Sequence, residues 1–182
     1  IQLTNPNVSA QAGTLSFYSA DGVLLAQQRI ELPGGARRDF SGHQFGKNLV
    51  GVTEWKPDNQ SIPFLLRNVR YYYATANTAV NTFSSAAQFS AQPGSGKALV
   101  APLDTAGSSA IVEISNIAEQ FNDVTAEVYN AAGILLQSLQ LRLAPHASFH
   151  LISDPFLQGG KGIVVVKGAL PSGTIATAMH YG

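Results

Sequence analysis

The sequence predicts an all-β chain, an antiparallel β-sandwich with internal duplication. Three observations carry that prediction. Shifted by 111 residues, the first 52 positions align with the second half without a gap and give eleven identities, where average composition would give roughly three. Strand-length runs alternate apolar and polar side chains, and helical periodicity is scarce. Turn signals separate these runs about every ten residues, the spacing of a sandwich or barrel, and hairpin order favours the sandwich.

The identities run from Asn5/Asn116 through Thr14/Thr125, Tyr18/Tyr129, Ala20/Ala131, Gly22/Gly133 and Leu24-Leu25/Leu135-Leu136 to Leu32/Leu143, Ala36/Ala147, Phe45/Phe156 and Gly51/Gly162. Leu135, Leu139, Leu141 and Leu143 share one parity, and Leu24, Ala26, Ile30 and Leu32 keep it in the first copy. A period of two places these side chains on one strand face, expected to be buried. Upstream, Leu15 and Phe17 match Ala126 and Val128 with parity kept, so both copies are expected to bury the same face. Between the runs, Ser19-Ala20-Asp21-Gly22 and Asn130-Ala131-Ala132-Gly133 read as hairpin turns, with glycine supplying the positive φ. Pro33-Gly34-Gly35 and Ala144-Pro145-His146 mark the next turn. Further strands are expected at 36–40, 49–55 and 62–73, and at 147–152, 161–168 and 173–181.

The repeat divides the chain into a first β-sandwich over 1–77, a linker over 78–97 with room for a short strand around Phe83–Phe89, and a second β-sandwich over 98–182. The opening run Ala98–Asp104 of the second copy has no counterpart in the first. The first copy is therefore expected to lack a strand, and to fill that edge with the linker or with another chain, since an open edge invites pairing. A start at Ile1 rather than methionine fits a processed product or an excised fragment.

Charged residues are 12% of the chain and the net charge is zero, which leaves no electrostatic footprint for nucleic acid or anionic lipid. Apolar residues are 45%, enough for a core, yet no run approaches the length of a membrane span. With no cysteine, disulfides, thiol catalysis and thiolate metal sites are excluded. The abundance of Ala, Ser, Thr, Asn, Gln and Gly reads as an extracellular or cell-surface bacterial composition.

Few residues point to chemistry. Gly94-Ser95-Gly96-Lys97 carries only part of a phosphate-loop pattern, with Ala91 and Ala98 where glycine and Ser/Thr are needed. His146 and His150 share strand parity and, with Asp154, form a weak candidate for a metal site, although zinc normally takes three or four ligands and the spacing fits no zinc pattern. In the first copy Gly35 and Asp39 stand at the two histidine positions, so neither histidine belongs to the shared frame. No Gly-x-Ser-x-Gly elbow is present and the acids read as solvated. The expectation is a non-enzyme without a cofactor; a small hydrolase or metal-dependent enzyme is a third alternative.

The aromatics are more suggestive. Trp55, the one tryptophan, ends a strand before the turn Lys56–Gln60, and Tyr71, Tyr72 and Tyr73 put aromatic rings on both faces of one strand. Such residues are common anchors in protein and sugar recognition, so all four are candidate ligand-binding residues. The competing reading makes Tyr72, which matches Tyr181 after a two-residue gap, a core or corner residue.

The frame Asn5, Gly22, Leu32-Pro33, Gly51-Val52, repeated as Asn116, Gly133, Leu143-Ala144-Pro145, Gly162-Ile163, resembles the Ig-like or fibronectin-like β-sandwich modules found in tandem in bacterial secreted and surface proteins. It lacks the Cys…Trp…Cys signature of a true immunoglobulin domain. The resemblance implies adhesion, spacing or recognition outside the cell, with a protein or glycan of a cell surface as partner, and brings no functional residue with it. The leading expectation is an adhesion, structural or protein-interaction module; a carbohydrate-binding module using the exposed aromatics is the second.

Overall fold

The computed structural model describes residues 1–45, 50–73 and 83–181, apart from the side chains at 43, 45, 70–73 and 83–87. The described chain is nearly all β. Its strands are β1 (Gln2–Thr4), β2 (Gln11–Ser19), β3 (Leu24–Leu32), β4 (Arg37–Asp39), β5 (Gly51–Pro57), β6 (Leu65–Tyr73), β7 (Phe83–Ser90), β8 (Leu99–Asp104), β9 (Ser109–Asn116), β10 (Asn122–Asn130), β11 (Leu135–Leu143), β12 (Ser148–Ile152), β13 (Lys161–Gly168) and β14 (Thr174–Tyr181). A 3-10 turn covers Gly42–Phe45, and a one-turn helix, α1, covers Asp154–Leu157.

The strands form four sheets, in the orders β4-β1-β6-β7, β3-β2-β5, β11-β10-β13-β8 and β12-β9-β14. Wherever the register is described, the pairing is antiparallel. β2 and β10 begin and end 111 residues apart, as do β3 and β11. β7 falls in the stretch read as linker and pairs with β6, adding a strand to the sheet of β1. Residues 74–82, which include the start of that stretch, and 46–49, which include the first residue of the strand expected over 49–55, lie outside the described residues.

Contacts group the chain into two units. One holds Ile1–Ser16, Ala26–Asn48 and Thr53–Gln92; the other holds Phe17–Leu25, Leu49–Val52 and Pro93–Gly182. In the first, Leu3, Leu15, Ile30, Leu32 and Phe40 are buried. In the second, one apolar cluster draws on both of its sheets, with Val112 and Ile114 of β9, Val124, Ala126 and Val128 of β10, Leu103 of β8, and Val164 and Val166 of β13. These alternate along their strands, as a half-buried pleated sheet requires.

Local signals explain the turns. Gly22 and Gly133 take φ of 82° and 76°, and the amides of Ser19 and Asn130 close the two hairpins on the carbonyls of Val23 and Ile134. Such φ values favour a residue without Cβ. Gly51 and Gly162 are small for another reason: a Cβ there would collide with the carbonyl oxygens of Tyr18 and Tyr129.

One parity expectation is corrected. Ile30, Leu32 and Leu143 are buried, but Leu24 and Leu135 are exposed. Both residues adjoin a hairpin turn at the start of a sheet-edge strand. In β11 a register shift against β10 sets Gln137 opposite Val128 but Leu135 opposite Tyr129, so the alternation read from Leu139 to Leu143 does not carry through to Leu135.

Candidate functional site

Two positions 111 residues apart, 5 and 116, each hold a buried asparagine. Asn5 follows β1 and Asn116 ends β9, and both are 0% exposed. The Asn5 amide donates to the carbonyls of Ser9, Leu32 and Pro33, and its Oδ1 accepts from the Asn7 amide. The Asn116 amide donates to the carbonyls of Gln120, Leu143 and Ala144, and its Oδ1 accepts from the Ala118 amide. Each asparagine holds the end of one long hairpin strand to the start of its own loop. A buried side chain with both ends satisfied fixes geometry, so this recurring residue has a structural task.

Trp55 lies in β5 with its indole across the backbone of Gly13. A Cβ on Gly13 would stand 2.6 Å from the ring carbon Cζ2. The ring meets Phe64 at 4.9 Å between centroids, tilted by 42°. The side chain is half-buried, and Nε1 is buried with no acceptor among the described residues. Tyr71, Tyr72 and Tyr73 lie on β6 opposite Ala86, Ser85 and Phe83 of β7, with a register irregularity between Tyr72 and Tyr73; their side chains lie outside the described residues.

The three weak metal candidates are found with separate partners. His146 is not on a strand: it sits in the turn before β12 with φ 57°, where the first copy has Gly35 at φ 71°. Its ring is buried and stacked on Tyr18, with centroids 4.0 Å apart and planes 8° apart. Nε2 lies 3.2 Å from Glu119 Oε2, and Nδ1 is buried with no partner among the described residues. His150, on β12, stands directly opposite Glu113 of β9, with Nε2 and Oε2 3.1 Å apart. Asp154 opens α1 and accepts from the Ala110 amide at 3.3 Å. Each carboxylate orients one ring or one backbone group. Among the described residues no three His, Asp or Glu side chains gather as a metal would need.

Glu113 and Glu119 did not stand out in the sequence, and Tyr18 did so only as an identity of the 111-residue alignment. The available signal was His146 itself, a bulky residue at a glycine position of the repeat. A side chain held at positive φ is kept there by its surroundings, and here those surroundings include the Tyr18 ring.

The exposed surface has its own repeated feature. Val23, Leu24 and Leu25 are all exposed, and so are Ile134, Leu135 and Leu136 at the matching positions of the other hairpin. Consecutive exposed apolar residues mark interaction sites more often than scattered ones do. Among the described residues, no helix is long and apolar enough to cross a membrane. No family model matches the chain, and neither the curated proteins nor the solved structures contain a significant match to it.

Proposed function

We propose that the chain is a non-enzymatic adhesion or structural module of the cell surface or extracellular space, built as two duplicated antiparallel β-sandwiches that bind a protein partner. The exposed apolar triplets at 23–25 and 134–136 carry this reading. They recur at one place in each hairpin, outside the buried core, where a contact surface would be kept and a packing residue would not. The duplicated frame is supported by the equal strand bounds and by the two asparagine brackets.

The test is adhesion of beads coated with the chain to cell monolayers, beside beads carrying Leu24→Ser with Leu135→Ser. The reading expects adhesion above that of beads coated with an unrelated β-sandwich protein, and a several-fold fall in the double variant. Adhesion no better than the control, or undiminished by the substitutions, rejects it.

Carbohydrate binding is the second reading, favoured by the half-buried Trp55–Phe64 pair. A glycan array compares the chain with Trp55→Ala. Sugar binding that disappears in the variant supports it, and a blank array removes it.

A further inference from the structure

Two hairpin tips and two turns, the members of each pair 111 residues apart, differ in what covers them. The tip at 18–23 docks on the turn at 144–148. There the Ser148 amide donates to the Ala20 carbonyl at 2.8 Å, and the Tyr18 ring stacks on His146. Gly22 comes so close to Pro145 that a Cβ on it would collide with the Pro145 carbonyl oxygen. All of these residues belong to one compact unit. Ala20, Gly22 and Pro145 are half-buried in the contact, and His146 is buried.

The counterparts are built the same way and stand open. In the second tip the Asn130 amide donates to the Ile134 carbonyl and the Gly133 amide to the Asn130 carbonyl, as Ser19 and Gly22 do to Val23 and Ser19. Yet Ala131 and Gly133 are exposed, and among the described residues a Cβ on Gly133 would meet nothing within 4 Å. In the turns, the Ala36 amide donates to the Pro33 carbonyl and the Ala147 amide to the Ala144 carbonyl, both at 3.1 Å. Gly35 and His146 share the positive φ. Pro33, Gly34 and Gly35 are nevertheless exposed. One tip is seated on one turn, and the matching tip and turn are both uncovered.

We infer that the chain associates with further molecules of itself, the tip at 130–134 of one seating on the turn at 33–37 of the next. The occupant is specified by the contact already formed, since another molecule of this chain carries the tip whose counterpart this kind of turn receives. Tyr129 takes the place of Tyr18, over Gly35, where the ring of His146 has no equivalent and leaves room. Tip and turn are different surfaces, so the contact is heterologous and adds molecule after molecule instead of stopping at a twofold dimer. Val23, Leu24 and Leu25 stay exposed beside the docked tip. The contact therefore leaves the apolar triplets uncovered and does not rest on the adhesive reading.

Sedimentation velocity of the whole chain, at concentrations up to about 1 mM where weak contacts still populate, should show a mass that rises beyond a dimer. Gly133→Asn tests the seat. Asparagine tolerates a positive φ, and the open space at this position lets the variant fold. Its side chain would stand where Gly22 has none, so association should fall roughly tenfold or more while the thermal melt changes little. Cross-linking tests the pairing. The chain has no cysteine, so Ala131→Cys in one preparation and Arg37→Cys in another, at the counterparts of Ala20 and Ser148, give one thiol each. Under mild oxidation the mixture should cross-link roughly tenfold faster than either variant alone, because only apposed residues meet the disulfide geometry. Adding Gly133→Asn to the Ala131→Cys protein should remove that advantage. A chain that sediments as a monomer throughout, association that persists in Gly133→Asn, or a mixture that cross-links no faster than its components overturns the inference.

Discussion

The side-chain amide of Asn116 donates to the carbonyl of Ala144 at 2.8 Å, tying the end of β9 to the turn that follows β11. The same amide serves Leu143 and Gln120, and nothing but an amide of this length supplies both the donors and the Oδ1 acceptor.

Asn116→Ala should therefore leave buried carbonyls without a donor and lower stability by about 2–3 kcal/mol, since each unsatisfied buried group costs on the order of 1–3 kcal/mol. Asn116→Asp keeps the shape but turns donors into acceptors facing carbonyls, and should be worse. Urea unfolding measures both. An Asn116→Asp protein as stable as the wild type would refute the bracket.

Ile114 is 0% exposed and packs in the cluster shared by both sheets, whereas Leu135 is 48% exposed. Ile114→Ala should cost about 2–5 kcal/mol, and Leu135→Ala should fall within about 1 kcal/mol of the wild type. Comparable losses at the two sites in chemical denaturation would contradict the burial assigned to the hairpin end.

Gly13→Ala places a methyl 2.6 Å from Trp55 Cζ2 and from the Lys56 carbonyl. Overpacking of this kind costs about 1–3 kcal/mol, and the indole must move. The fluorescence spectrum of Trp55 should change together with stability; an unaltered spectrum would mean that the ring does not lie across Gly13.

His146→Gly and His146→Ala both delete the ring stacked on Tyr18, but only glycine is at ease at φ 57°. The alanine variant should be less stable than the glycine variant by about 1 kcal/mol, the usual cost of a left-handed non-glycine residue. Parallel thermal melts decide the order, and a more stable alanine variant would show that this turn is not left-handed in solution.

Acid should weaken the fold through two ion-paired carboxylates. A hydrogen bond from the Ala106 amide, helped by Lys161, holds Asp104 below the usual carboxylate range. Glu127 is lowered first by Lys167 and then by Tyr129. A depressed folded-state pKa contributes stability that is present above the unfolded value and lost as pH falls through the folded one. NMR titration should find both midpoints low. Added salt should raise Glu127 more than Asp104, because a lysine charge is screened and a backbone hydrogen bond is not. The reverse salt response would mean these causes are misassigned.

Most strand positions were legible before any coordinates. Period-two alternation and glycine turns are local properties, and they place Gln11–Ser19, Leu24–Leu32 and their copies close to where they lie. The candidate site was less legible. Trp55 was visible as a lone tryptophan, but its position across Gly13 depends on a residue some forty places away. His146 and His150 look like neighbours by parity, yet the first leaves the strand for a left-handed turn and each finds its own glutamate.

The chain's own pattern set which residues alternate and where the hairpins turn, because backbone sterics and side-chain period act over a few residues. Long-range packing settled the rest: that β7 joins β6, and that Leu24 and Leu135 stay exposed. Those outcomes depend on which distant segment arrives to cover a face or an edge, and alternation alone carries no record of that neighbour.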